Sequence, residues 1–303
     1  MQFRHILSSR AGGVLAALLF CCASAHAQLQ GTPDLGKLTA TGGVSTVEGA
    51  GGGGLVPWAL ISGYGSRDSW GANAHYTMVR TQDYSLDSYG VAVGIADRVE
   101  LSLATQQLRG SLAPLDALRL NQDIVGLKIK LAGDAVYDQD RLLPQIAVGA
   151  MAKRTKGVAG LGALAVTSVR QLGAREEHGV DYYLAATKLL LEQSVLLNAT
   201  VRATRANQLG LLGFGGDQHQ RYQARLEVSA AYMINRKLVA GAEYRMKPRN
   251  LGVDHEKAFY DAFVAWFPTK HVSVTAAYAV LGDITVFNPK NQKGAYLSVQ
   301  AGF

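Results

Sequence analysis

The sequence is short of several features that most exported or membrane-embedded chains rely on. Its only two cysteines, Cys21 and Cys22, lie within the first 22 of 303 residues. No disulfide framework can therefore hold the remainder together. Downstream of Gln30 no segment approaches the roughly 20 consecutive apolar residues that a spanning helix needs, which excludes a bundle of transmembrane helices. Charged residues make up only 17% against 48% hydrophobic ones, so a solvated disordered polymer is excluded. Lys+Arg exceed Asp+Glu by 30 to 23, a bias too mild to imply a nucleic-acid partner. The glycine run Gly51–Gly54 lacks a following Lys-Ser/Thr and a strand–helix context, so it is no phosphate loop.

The N-terminus reads as an export signal. Arg4 and Arg10 supply a basic start, residues 11–22 form an apolar stretch too short to span, and Ala25-His26-Ala27 gives a small-x-small cleavage site. Residues 1–27 are thus expected to be a signal peptide cut after Ala27, with 28–38 as a short N-terminal periplasmic segment and 39–303 as the barrel.

The strongest signal downstream is period two, the mark of strands with one apolar face. Nine segments carry it without a charge on the apolar face. Val125, Leu127, Ile129 and Leu131 alternate with Gly126, Lys128 and Lys130; Leu238, Ala240, Ala242, Tyr244 and Met246 oppose Gly241, Glu243 and Arg245. Weaker strands are expected over 55–64, 72–80, 142–153 and 180–188, and a fourteenth over the glycine-rich 39–49. Short links, such as 96–98 and 234–237, take turns with long ones, such as 154–179 and 205–221, as in barrels with tight periplasmic turns and free external loops. Aromatic residues near strand ends (Trp58, Tyr64, Tyr89, Tyr232, Tyr244, Tyr260, Trp266, Tyr278 and Phe303) suit an interfacial girdle. The apolar face is rich in Ala, Val and Leu and poor in Phe, a composition for lipid rather than for a large soluble core. The expectation is an all-β fold: a transmembrane antiparallel β-barrel of about 14 strands, or 12 if 39–49 is a plug or tether.

The last ten residues, Gly294-Ala295-Tyr296-Leu297-Ser298-Val299-Gln300-Ala301-Gly302-Phe303, resemble the C-terminal assembly signal of Gram-negative outer-membrane β-barrels. The resemblance implies the outer membrane as location, outer-membrane lipid as surroundings, and the barrel-assembly machinery as a partner that reads Tyr296, Leu297, Val299, Ala301 and Phe303. The run from Val47 to Ala59 resembles that of an uncharacterised proteobacterial barrel family, with no activity attached.

On the inner face the alternation places Lys128, Lys130, Lys153, Lys188, Arg202, Arg225 and Arg245 against Glu100, Glu227, Glu243 and Asp261. These are the candidate pore-lining residues. Seven bases against four acids suit a weak preference for anions, or cross-strand pairing that merely keeps the wall wet. Three long loops each hold an acid beside a histidine, at Glu176/Glu177/His178, Asp217/His219 and Asp254/His255/Glu256. His178, His219 and His255 are accordingly weak metal candidates, and polar loop residues the plainer alternative. His75 and His271 have no placeable serine partner, so no catalytic residue and no cofactor are assigned. Two loop segments, 157–169 and 209–216, are unusually apolar: they fold inward to constrict the pore, or catch a hydrophobic solute, or merely extend strands above the membrane or pack on one another. The function expected is passive diffusion of small hydrophilic solutes, with a fatty-acid-like transporter, an envelope enzyme and a structural or adhesive barrel as alternatives.

Overall fold

The computed structural model describes residues 36–111, 116–159, 166–254, 256–284 and 290–303. The expected cleavage site at Ala25 and Ala27, together with His255 and residues 160–165 of the apolar segment 157–169, lies outside them. Residues 37–303 make one compact unit.

Twelve antiparallel strands close on themselves. In chain order they are β3 (Trp70–Thr81), β4 (Tyr84–Ile95), β5 (Val99–Gly110), β6 (Arg119–Ala132), β7 (Gln145–Ala159) and β8 (His178–Leu190), then β9 (Val195–Thr204), β10 (Gln223–Asn235), β11 (Leu238–Arg245), β12 (Phe259–Thr269), β13 (Val272–Gly282) and β14 (Gln292–Gly302). Sequence neighbours pair throughout, and β14 pairs with β3 to seal the wall, with Tyr296 opposite Val79 and Gly302 opposite Asn73. Two very short strands precede the wall, β1 (Val44–Ser45) and β2 (Gly51–Gly52), paired with each other and joined to no wall strand.

The wall thus has the smaller of the two expected strand numbers. Segments 39–49 and 55–64 are not wall strands: they lack alternation, and 42–54 holds too many glycines to present a lipid face. Residues 41–62 instead form a plug inside the barrel, almost all of it buried. Trp58, expected in the girdle, is part of that plug and only 5% exposed. Short and long connections alternate with two exceptions. The 133–144 link between β6 and β7 is long although it lies at the short-turn end. β3 and β4 meet through the two residues Gln82 and Asp83 at the end where the other links are long. At the opposite end Ala96 and Asp97 both take positive φ, 52° and 46°, the geometry of a two-residue hairpin that follows strand twist.

Alternation along the strands decides which face meets what. Leu101, Leu103, Val125, Leu131, Leu184 and Val264 point outward, about half exposed. An uncovered apolar surface this extensive is stable only in lipid. Trp70 packs edge-on against Phe303 at the short-turn end, and Tyr182 meets Tyr222 near the other. A closed antiparallel barrel with an apolar exterior and aromatic rims is the architecture of a bacterial outer-membrane β-barrel.

Candidate functional site

The inner face is layered, which the sequence reading overlooked. Toward the short turns it is apolar: Leu189, Leu196, Ala231, Val239, Phe263, Ala265 and Phe267 surround Trp58 and enclose a cavity of about 30 Å³. Toward the long loops it is apolar again, with Val79, Leu86, Leu108 and Phe259 on the wall. The charged cluster of Lys153, Asp181, Arg202, Glu227 and Arg245 sits between these two rings.

At the centre of the charged layer is Glu48, a plug residue with no exposed side-chain surface. Its carboxylate receives Lys153 Nζ from β7, Arg202 Nη2 from β9 at 3.5 Å and Arg245 Nη1 from β11 at 2.5 Å. The same three bases meet two wall acids. Lys153 lies 2.5 Å from Asp181 Oδ2, and Arg202 holds Glu227 through Nε at 2.6 Å and Nη2 at 3.1 Å. Arg202 also lies 3.6 Å from Asp181, and Arg245 Nε lies 3.1 Å from Glu227. Three bases thus face two acids of the wall, and Glu48 completes the balance. Buried charges persist only when paired, so this closure is what the plug position depends on.

Two further wall carboxylates grip the plug backbone. Glu100, paired with Lys128 at 3.0 Å, accepts the Gly51 N–H at 3.0 Å and both the amide and hydroxyl of Ser62. Lys128 in turn donates to the carbonyls of Gly51 and Leu60. Across the lumen Glu243 accepts the Leu55 N–H at 2.7 Å and the Ser229 hydroxyl at 2.7 Å. The glycine run follows from this. A Cβ on Gly51 would come within 2.6 Å of Ser62 Oγ and 2.9 Å of Glu100 Oε2, and one on Gly53 would run into Glu243. Only a chain without side chains passes between the two carboxylates.

More contacts circle the plug. Ser45 N–H donates to Gln300, Ser88 and Gln106 donate to the Val47 carbonyl, and Gln145 donates to the Ala59 carbonyl. Ala59 N–H donates to Thr187, Thr200 donates to the Pro57 carbonyl, and Trp58 Nε1 donates to Ser229. At the short-turn end Lys37 Nζ bonds Asp97 at 2.9 Å and the Ile61 carbonyl at 2.6 Å, fastening the plug's root to the β4–β5 turn.

The long-loop end is capped. The loop between β9 and β10 turns inward, carried by positive φ at Gln208 and Leu209. Leu209, Leu211, Leu212 and Phe214 are buried, and of the three readings for segment 209–216 the structure shows the inward fold. The Leu209 carbonyl accepts from Lys153 and that of Gly210 from Thr155. Leu209 and Leu211 meet Val47 and Leu55 of the plug across an apolar chamber of about 40 Å³. The cap is clasped by the β11–β12 loop: Gln208 donates to Asp254 Oδ1 through its side chain and to Glu256 Oε1 through its backbone, while Lys247 donates to Gln208.

The singled-out residues that are described can now be placed. Glu100, Lys128, Lys130, Lys153, Arg202, Glu227, Glu243, Arg245 and Asp261 are all buried on the inner side, and Arg225 is half-buried nearer the long loops. Lys188 does not line the lumen: it shares the outward face of β8 with Tyr182 and Leu184, opposite the exposed Leu197, and is buried where the 134–138 link folds over it. Lys130 pairs with Asp97 at 2.6 Å, Lys188 donates to the Asp134 and Asp138 carbonyls, and Asp261 stands opposite Glu243 on the adjacent strand. Of the assembly-signal residues, Leu297 and Phe303 face outward and Tyr296 is buried inside. Glu176 pairs with Arg170, and the ring nitrogen of His219 meets the Arg249 carbonyl. His178 begins β8 opposite Arg154. Among the described residues no three metal-ligating side chains converge. His75 is buried on the inner face with Asn73 and Thr77, and His271 contacts the Gly302 carbonyl at the rim.

Glu48 and Asp181 were the residues missed. One signal for Glu48 was present: a lone acid in an apolar, glycine-rich run, beside a wall with more bases than acids.

A family model described as a protein of unknown function (DUF3034) matches residues 41–300. That span takes in the plug as well as the wall. No curated protein matches the sequence. Among solved structures, the NanC porin aligns at 11% identity and TM-score 0.49, covering 77% of this chain and 99% of its own. The KdgM porin aligns at 9% and 0.47, covering 76% and 99%. Outer membrane phospholipase A from Escherichia coli aligns at 10% and 0.42, covering 80% and 98%. Likenesses this remote transfer no activity to the present chain.

Proposed function

The chain belongs to the family described as protein of unknown function (DUF3034), and for it we propose the role of an outer-membrane solute channel that its own N-terminal segment holds shut. The observation that carries this reading is the Glu48 carboxylate, buried among Lys153, Arg202 and Arg245 of three wall strands. A lumen meant only to be filled would be served by apolar packing, which is often more stable than a buried ion cluster. A charged seam between two bodies has the opposite property. It is tight when matched and unstable when one partner is lost, by about 3–5 kcal/mol for a broken buried pair.

In this reading the plug is a gate, and small solutes cross when it withdraws. Withdrawal removes Glu48 and leaves three bases against Asp181 and Glu227, so the open lumen favours anions. Planar-bilayer recording tests both statements. The intact protein is expected to be closed for most of the time. Glu48→Gln is expected to raise the open fraction about tenfold or more, as the loss of roughly 1.4 kcal/mol or more of gate contact requires. Its reversal potential in asymmetric KCl is expected to show anion preference. If Glu48→Gln is as silent as the parent protein, the gate reading fails and a structural or adhesive barrel takes its place.

A further inference from the structure

The way Glu48 is held identifies a ligand site, an inference that rests on the gated-channel reading. We propose that Lys153, Arg202 and Arg245 form a carboxylate-binding site that Glu48 occupies in the closed state. Its ligand is an organic monoanion with a short apolar tail, and that ligand competes with the plug.

Charge and position both lead there. The wall supplies three bases and two acids, all at most 4% exposed, so the site lacks one negative charge when the plug is absent. A single carboxylate restores neutrality; a dianion overshoots and a neutral solute leaves the excess in place. Glu48 shows the fit, since its two oxygens are divided between Lys153 on one side and Arg202 and Arg245 on the other. Charge-assisted contacts of this kind are the strong ones.

The tail follows from what adjoins the bases. Arg245 also donates to the Leu55 carbonyl at 2.9 Å, and Lys153 to the Leu209 carbonyl at 3.2 Å. Leu55 and Leu209 both line the apolar chamber on the long-loop side, together with Leu86, Leu108 and Phe259 of the wall. The carboxylate site therefore opens directly onto an apolar space. That space widens when the plug takes Val47 and Leu55 away. A carboxylate on a chain of several carbons satisfies both layers, whereas acetate satisfies only the charged one.

Competition gives the site its consequence. The ligand sees the site only in the fraction of molecules whose plug is out, so its apparent affinity is reduced by that fraction. By the same linkage, ligand binding holds the channel open.

The test uses the whole protein in planar bilayers with hexanoate, hexanol, hexylammonium and acetate added at equal concentration. Hexanoate is expected to raise the open fraction of the intact protein, with hexanol and hexylammonium inactive and acetate needing a far higher concentration. Isothermal titration in lipid nanodiscs is expected to show hexanoate binding to Glu48→Gln about tenfold or more tighter than to the intact protein. Equal effects of hexanoate and hexanol would mean mere membrane partitioning and would overturn the site. So would Glu48→Gln binding hexanoate no better than the intact protein. If Glu48→Gln opens but hexanoate has no effect, the gate stands and the carboxylate site falls. If Glu48→Gln never conducts, the gated-channel reading itself has failed.

Discussion

At the scale of single residues, the glycines of the plug and the charges of the wall do one job between them. Gly53 lies against Glu243 and the Trp58 indole, with Cζ2 only 2.8 Å from where a Cβ would stand. Gly53→Val changes no charge, yet it removes the space the plug needs. It is expected to raise bilayer conductance as Glu48→Gln does and with the same anion preference, since Glu48 leaves the lumen with the plug in either variant; an unchanged, silent channel would mean the plug tolerates the displacement. In the external loops Asp254 reports on the cap. Burial, then the neighbouring Glu256, pushes its carboxyl up to about 9, while Lys247 pulls it back. Gln208 and, through it, the Asp283 carbonyl complete its surroundings. An acid whose pKa is raised in the latched state binds its proton more tightly there. Its contribution to latching is complete below the ordinary carboxylate range and declines as the pH rises, vanishing above about 9. Burial lowers Lys247, which acts in the opposite sense, so Asp254→Asn serves to isolate the acid. Proteolytic nicking of loop 205–216 is expected to increase with pH in the parent protein and to lose most of that dependence in Asp254→Asn.

At the scale of elements, the wall was readable and the plug was not, for a physical reason. β6, β10, β11 and β12 show their registers openly because lipid on one side and a filled lumen on the other impose strict alternation. The inner face also carried a warning. Phe259, Phe263 and Phe267 alternate with the outward Tyr260, Val264 and Trp266 of β12, and Leu86, Leu108, Leu189 and Leu196 likewise point inward. An open aqueous lumen has no use for those side chains. Attention to the outer stripe alone concealed them. Segment 41–62 has no period because each residue answers a different strand, with Ser45 meeting Gln300, Gly51 meeting Glu100, Leu55 meeting Glu243 and Ala59 meeting Thr187. Contacts so far apart in sequence leave no local pattern. The β4–β5 turn shows a different limit: Ala96 takes a φ of 52° that alanine adopts at a cost of about 1–2 kcal/mol. Ala96→Gly is expected to raise resistance to urea unfolding by about 0.5–1 kcal/mol. The neighbouring Asp97 must stay, because it holds both Lys37 and Lys130.

At the scale of the whole molecule, the barrel is a lipid-facing wall around a core that belongs to the same chain. The base excess on the inner wall is smaller than the alternation suggested, since Lys188 faces outward and Asp181 adds an acid, and around Glu48 it is met by that carboxylate. Charge complementarity thus links a plug near the N-terminus to strands more than 100 residues away. The central claim is that this plug moves, and the scarcity of cysteine makes the claim directly testable. Cys21 and Cys22 are the only cysteines of the sequence, so with both changed to serine a cysteine pair can be added without competing thiols. Ser45 Oγ of the plug lies 3.4 Å from Asn73 Oδ1 of β3, so Ser45→Cys with Asn73→Cys joins gate to wall. The decisive measurement is single-channel conductance of Glu48→Gln carrying that pair, first oxidised and then reduced. The account predicts a closed barrel while the disulfide holds and an open, anion-preferring one once it is reduced. Equal conductance in the two states would show that solutes pass without the plug moving, and would contradict it.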